Sequence, residues 1–285
     1  MPSAPRVIVI TGAASGIGRA LALSFAEDQA GLVLSDRDAE GLAGTVRMAR
    51  DAGGRILDST VLDVTDVDAV KEWADRAVEN FGAPDEVHHV AGIAIWGDAR
   101  TFPHEKWKRV IDVNLMGTVH MVEAFVHHMT DQPQREDASA RRAFVCVSSA
   151  AGIIGLPWHA AYSASKGGVI AMCEVLRFDL RPHGVDVHVV APGAVDTPLV
   201  RSIDIHGVDR ANPRVEKATK LFQRHAVTPE QTARAIRKGV TKGKFLITTS
   251  ADIRFGRWAQ VNIPWAYAGF MRLLNRGFRW ASTDR

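Results

Sequence analysis

Val7-Ile8-Val9-Ile10-Thr11-Gly12-Ala13-Ala14-Ser15-Gly16-Ile17-Gly18 is followed by Arg19-Ala20-Leu21-Ala22. The β-branched run reads as a buried strand, the glycines as a sharp turn, and the apolar spacing after them as a helix. A strand that turns directly into a helix aims unpaired N–H groups, and the positive end of the helix dipole, at whatever lies over the turn. With no side chains at Gly12, Gly16 and Gly18, a pyrophosphate can approach the backbone closely, so this stretch predicts a dinucleotide cradle built from Gly12, Ser15, Gly16, Ile17 and Gly18.

Outward from the cradle, short β-branched runs alternate with longer segments of helical period. Strands are predicted at Val7 to Ile10, Leu32 to Ser35, Ile56 to Leu62, Glu86 to Val90, Ala143 to Val147, Val185 to Val190 and Phe245 to Thr248. Helices are predicted over Gly18 to Ala30, Val67 to Phe81, His104 to Met129, Ala160 to Leu180 and Pro229 to Val240. The alternation predicts an α/β fold, a doubly wound (Rossmann) mostly parallel seven-stranded sheet with helices on both faces. Residues 1–250 are expected to form a single dinucleotide-binding and catalytic domain, with the polar stretch 130–142 as a surface loop. Segment 199–227 is longer than one connection needs and reads as a lid. Residues 251–285 form an aromatic and basic helical extension.

The second predicted strand ends in Ser35-Asp36-Arg37. An acid about 20 residues past the glycine turn is placed to hydrogen-bond the adenosine ribose, which favours NAD. Arg37 could instead pair with a 2′-phosphate, so NADP is the weaker alternative; a helix cap is the other use for Asp36. Asp63-Val64 closes the third strand, where the carboxylate would accept from the adenine amino group or cap the next helix.

The chain has two tyrosines, and one of them stands in Tyr162-Ser163-Ala164-Ser165-Lys166. A spacing of four puts phenol and ammonium on one helix face. A phenol of pKa about 10 must fall by roughly three units to work as a base at neutral pH, and a nearby cation is the natural source of that shift. Ser148-Ser149 follows the strand Ala143 to Val147, at a strand's carboxyl end, where doubly wound sheets bind ligands. Either hydroxyl there could also serve as an ordinary turn or cap.

Together these motifs resemble the short-chain dehydrogenase/reductase family, over about Val7 to Thr248. The resemblance extends to Asn114 in Val113-Asn114-Leu115-Met116-Gly117 and to Pro192-Gly193 with Val195 and Thr197. It implies Tyr162 as acid/base, Ser149 as the residue that fixes the substrate oxygen, and Lys166 as the group that holds the nicotinamide ribose and depresses the phenol. Asn114 would support a proton relay through a helix irregularity. Pro192, Gly193, Val195 and Thr197 would join the cofactor contacts. The pattern departs at the fourth strand, where the family usually has Asn-Asn-Ala-Gly and this chain has His89-Val90-Ala91-Gly92. Ala91 and Gly92 still allow close cofactor approach, but the strand-bridging bonds of the lost asparagine are put in question. His88 and His89, adjacent on a strand, point to opposite faces and are expected to be structural, with no metal site.

Composition narrows the rest. The 285 residues are 46% apolar and 24% charged, ordinary for a globular protein. Cys146 and Cys173 sit in apolar runs without metal-ligand spacing, which points to reduced thiols and a cytoplasmic location. Neither a signal peptide nor a transmembrane stretch is expected. The net charge of +3 comes from the tail: six arginines and two acids lie from Ala251 onward, and no basic stripe for nucleic acid crosses the rest. Ile93, Ala94, Trp96, Ile153, Ile154, Leu156, Trp158, Leu199 and Val200 are expected around the substrate cleft. Their apolar character predicts a lipophilic secondary alcohol or ketone. The tail, rich in aromatics and arginines and divided at Pro264, suits a membrane interface, a subunit contact or a lid. A homodimer or homotetramer is implied by the family resemblance. The alternatives to an NAD-dependent oxidoreductase are an NADPH-dependent carbonyl reductase and a non-catalytic nucleotide-sensing or membrane-recruited protein.

Overall fold

The opening run forms strand β1 (Val7–Thr11), central in a seven-stranded parallel sheet, in a computed structural model that describes residues 5–131, 141–201, 203–208 and 226–282. The strands are β1, β2 (Gly31–Asp36), β3 (Arg55–Val61), β4 (Glu86–His89), β6 (Arg142–Val147), β7 (Val185–Ala191) and β9 (Leu246–Thr248). Their order across the sheet is β3-β2-β1-β4-β6-β7-β9. Helices α1 (Gly16–Ala26), α2 (Ala39–Asp51) and α8 (Pro229–Thr241) cover one face; α3 (Val67–Phe81), α5 (Gly117–Thr130) and α6 (Ala160–Leu180) cover the other. Successive residues of β1 go to opposite sides. Ile8 and Ile10 join Leu21, Phe25 and Ile236, whereas Val9 joins Trp73, Phe125 and Val169. A strand buried on both faces has no polar side to show, which is why β1 reads as an unbroken apolar run.

The expected doubly wound sheet is therefore present, and it reverses direction between β1 and β4. Connections leave those two strands on opposite sides, so a crevice opens at their carboxyl ends. Four details differ from the sequence reading. Helix α1 starts at Gly16, two residues before the predicted start, and ends at Ala26. Helix α2 lies where none was predicted. A second, two-stranded sheet pairs β5 (Ile95–Gly97) with β8 (Asp204–His206). The predicted helix His104 to Met129 is divided into α4 (His104–Ile111), a π-helical turn Asp112–Met116 and α5.

Of the segment read as a lid, a short helix α7 (Pro198–Arg201) and β8 are described, while residues 202 and 209–225 lie outside the described residues, as does most of the predicted loop 130–142. The base of the segment is closed, since Val227 N donates to Ala194 O and Asp196 N to Val227 O, each at 3.0 Å. The tail forms α9 (Ala251–Asn262) and α10 (Pro264–Ser282), broken at Pro264 as expected. No helix among the described residues is long and apolar enough to cross a membrane.

Candidate active site

The crevice holds a cavity of about 440 Å³. Its lining includes Gly12, Ser15, Gly16, Ile17, Asp36, Arg37, Asp63, Val64, Ala91, Gly92, Ser149, Tyr162, Lys166, Pro192, Gly193, Val195 and Thr197. Of the residues expected to hold the cofactor or move the proton, only Gly18 and Asn114 stand behind this surface; of those expected around the substrate cleft, Ile93, Leu199 and Val200 line it, and Ala94, Trp96, Ile153, Ile154, Leu156 and Trp158 do not. Leu62, Val90 and Val113 also line it and were not singled out; their one sequence signal is a place at or near the carboxyl end of a strand or in the irregular helix.

The glycines have steric work to do. Gly12 has φ +69°, and a Cβ there would lie 2.7 Å from Ala91 N. A Cβ on Gly18 would lie 2.1 Å from Gly12 O, so that glycine lets α1 seat directly on the turn. Ser15 is the N-cap of α1 but makes no capping bond with its hydroxyl. A cradle that any side chain would fill, under the start of a helix, fits the pyrophosphate of a dinucleotide.

Asp36 ends β2 and accepts from Ala14 N at 2.9 Å and from Asp38 N at 3.0 Å. It does not cap α2, because Asp38 does so, accepting from Gly41 N. Asp63 likewise leaves the cap of α3 to Asp66 and accepts from the backbone and hydroxyl of Thr65 at 2.9 Å. Arg37 is exposed at the rim of the cavity.

At the fourth strand the family's asparagine has a substitute. Thr11 Oγ1 accepts from Val90 N at 3.1 Å and Ala91 N at 3.3 Å, and so turns its own proton to His89 Nδ1 at 2.9 Å. His89 thus supplies the cross-strand tie between β1 and β4 that its arrival had put in question. With Nδ1 accepting, the ring proton sits on Nε2, which is buried without a partner among the described residues. Burial, helped by the charges of Lys166 and His120, pushes His89 down to about 3. His88 points to the other face, with Nε2 2.6 Å from Glu86 Oε2 and its ring on Phe25. The one trio of side chains among the described residues that could share a metal ion, Asp75, His127 and His128, is elsewhere, between α3 and α5.

The residues expected to move the proton converge from three elements. Ser148 is structural: its hydroxyl donates to Lys166 O at 2.7 Å. Ser149 caps the short turn Ala150–Gly152, accepting from Ala151 N at 3.2 Å, and its hydroxyl lies near enough to the Tyr162 phenol to lower its pKa. Lys166 Nζ donates to Val147 O at 2.8 Å. Burial brings Lys166 down to about 8. Burial raises Tyr162 above its ordinary value, the Ser149 hydroxyl pulls it down, and Lys166, committed to the carbonyl at the end of β6, does not set the balance.

Asn114 sits in the π-helical turn, the irregularity expected there, and is fully buried. Its Nδ2 donates to Ile93 O at 2.9 Å and Ser165 Oγ at 3.0 Å, and its Oδ1 accepts from Ile93 N at 2.8 Å. Ser165 donates in turn to Tyr162 O. One amide thereby clamps the segment after β4 to the helix that carries Tyr162 and Lys166. Ser165, which the sequence reading passed over, completes the clamp. A Cβ on Gly92 would meet Asn114 Oδ1 at 3.0 Å and Lys166 Nζ at 3.1 Å, so the glycine is required where these groups close on the backbone.

Comparison with known proteins agrees with this architecture. The family profile described as short chain dehydrogenase matches residues 6–206. A cis-4-hydroxycyclohexanecarboxylate dehydrogenase of Sinomonas cyclohexanicum is 37% identical over 237 residues, covering 82% of this chain and 88% of that protein. The structure of a short chain dehydrogenase/reductase from Burkholderia phymatum in complex with NAD superposes with a TM-score of 0.78 at 28% identity, covering 91% of this chain and 95% of the other. An actinorhodin polyketide ketoreductase variant with NADPH gives a TM-score of 0.77 at 25% identity, covering 87% and 97%. The chain belongs to the short-chain dehydrogenase/reductase family of oxidoreductases.

Proposed function

We propose that this protein is an NAD-dependent oxidoreductase that moves a hydride between a lipophilic secondary alcohol, or its ketone, and the nicotinamide, with Tyr162 as the acid/base. The observation that carries the reading is one continuous cavity bounded by Asp36 at one end and by Ser149, Tyr162 and Lys166 at the other. When bound, the nicotinamide supplies the acceptor or donor of the hydride. Everything else falls to the chain. Ser149 holds the substrate oxygen, and Tyr162 takes the alcohol proton or returns it to the ketone. Lys166 holds the ribose and adds positive charge near the phenol, whose pKa must fall by at least about three units, or ~4 kcal/mol, for base catalysis at neutral pH. Asn114 keeps the Tyr162 helix in register and supports proton exchange through the π-helical turn.

Gly12, Ser15, Gly16 and Ile17 hold the pyrophosphate, and Gly18 lets α1 seat on the turn beneath it. Asp36 binds the adenosine ribose, Asp63 and Val64 the adenine, and Ala91, Gly92, Pro192, Gly193, Val195 and Thr197 the rest of the cofactor. Residues 1–250 act as one catalytic domain, 199–227 as its lid and 251–285 as an extension. Exposed Val175 and Phe178 on α6 support pairing of two chains through the long helices. Exposed Trp258, Trp265 and Phe270 beside Arg257 and Arg272 support peripheral contact of the tail with an anionic membrane. The two buried free thiols support a cytoplasmic setting. Arg37 at the cavity rim supports a second reading, NADPH-dependent ketone reduction.

The test is turnover by the purified protein across lipophilic secondary alcohols, including sterol-like and long-chain species, with NAD and NADP in parallel. Tyr162→Phe should bind NADH normally while turnover falls by about 10²–10⁴. Near-normal turnover in that variant would remove Tyr162 from the mechanism. Faster turnover with NADP than with NAD would select the second reading.

A further inference from the structure

The tail folds back over the segment that joins Ser149 to Tyr162. Helix α9 packs flush against it, since a Cβ on Gly256 would lie 2.5 Å from Ile154 Cδ1. Its first turn reaches the cofactor side, where buried Ile253 approaches Gly193. On α10, Tyr267, Met271, Leu274 and Phe278 recur at spacings of four, three and four and are the half-buried side. Tyr267 Oη donates to Gly155 O at 2.9 Å. The Phe278 ring stacks on Trp158, with centroids 5.7 Å apart and planes 22° apart. It also meets the His159 ring at 6.4 Å, nearly edge-on.

The aromatic chain continues inward from there. His159 lies 4.1 Å from the Trp96 ring and 6.4 Å from the Tyr162 ring, one helical turn before the phenol that moves the proton. His159 is buried, which holds it neutral, with a pKa of about 4. Trp158 has φ +67°, a strained backbone state that non-glycine residues seldom occupy. A residue held there is held by its surroundings: Trp158 O accepts from Gly97 N at 2.9 Å, and the ring is covered by Phe278. Phe278 therefore packs on a strained residue and on its neighbour His159, whose ring meets Tyr162, from more than a hundred residues away.

We infer that α10 is a built-in wall of the substrate cleft, in which Phe278 and Trp158 determine specificity by fixing its width for elongated apolar substrates. The inference rests on the proposed alcohol or ketone chemistry. It also gives the tail's inner stripe a role within the same chain. Phe278 acts through Trp158 and His159 and is a positioning residue.

The experiment is steady-state kinetics on a homologous series of secondary alcohols of increasing chain length, with NADH binding as the control for folding. Phe278→Ala should raise KM by about tenfold for the longest substrates and progressively less for shorter ones, with a much smaller change in kcat. Phe278→Tyr, which keeps the stacking ring, should restore the parent values. Trp158→Leu reaches the same stack without altering α10 and should reproduce the length-dependent rise. A KM ratio that does not vary with chain length in both Phe278→Ala and Trp158→Leu overturns the wall while leaving the chemistry standing. Absence of turnover by the unaltered protein on every alcohol and ketone, with NADH bound, overturns the chemistry and the wall with it.

Discussion

Asp36 uses both carboxylate oxygens on backbone amides, one in the glycine turn and one at the start of α2. The same carboxylate faces the cavity where a ribose would lie. The observed brace and the proposed ribose contact would thus share one residue, and Asp36→Ala tests the second. NADH affinity should drop by about tenfold, the worth of a charge-assisted hydrogen bond, while NADPH affinity holds or rises because a repelling anion is gone. Fluorescence titration with both nucleotides reads this directly. An equal loss for both would mean that Asp36 only braces the turn. His89 teaches a similar lesson. Its type alone suggested a missing bond, and only the positions of Thr11, Val90 N and Ala91 N show that the imidazole takes part in a tie between β1 and β4.

Helix α8 carries a reciprocal capping box, in which the Thr228 hydroxyl accepts from Gln231 N and the Gln231 side chain accepts from Thr228 N. The helix packs on α1, and Arg237 donates from it to Ser24 O at 2.8 Å. Thr228→Ala should therefore cost about 1 kcal/mol and lower the melting temperature by roughly 2–4 °C without changing NADH affinity; an unchanged melting temperature would show the cap to be idle. Legibility varied between elements for physical reasons. Helix α6 was read correctly to its ends because its apolar period is long and uninterrupted. Helix α2 was missed because its buried side, Leu42, Thr45, Val46 and Ala49, includes a polar residue and little bulk. Strands β5 and β8 are three residues each, paired across more than a hundred positions, and carry no local signal.

Over the whole molecule, buried histidines are expected to limit stability in acid. Burial lowers His89 to about 3 and His159 to about 4, and it lowers His188 as well. A group whose folded pKa lies below its unfolded value of about 6.5 leaves the unfolded chain with more bound protons, so stability falls as the pH drops below about 6.5. Each of His89 and His159 should contribute a loss of up to about 1.4 kcal/mol per pH unit until its folded pKa is reached. Glu86, held at about 2 by His88 and Arg6 against the cost of burial, works in a lower window. It stabilises above about 4.5 and loses that contribution as the pH falls toward 2. Urea midpoints at constant protein concentration should thus decline between pH 6.5 and 4.5, before carboxylates matter. A flat profile over that range would contradict the burial of these rings.

Local order was enough to determine the sheet, the glycine cradle and the short-range spacing of Tyr162 and Lys166. These follow from burial on both strand faces, from the steric allowance of glycine and from helical periodicity, all of which act over a few residues. Distant encounters decided the rest. Lys166 meets the carbonyl of Val147, Asn114 ties Ile93 to Ser165, Thr11 reaches His89, and Phe278 covers Trp158. Each joins groups brought together only when the chain packs. Desolvation, which raises the Tyr162 phenol and lowers Lys166 to about 8, likewise exists only in the folded interior, so the motif could identify the groups while their electrostatic state awaited the tertiary structure.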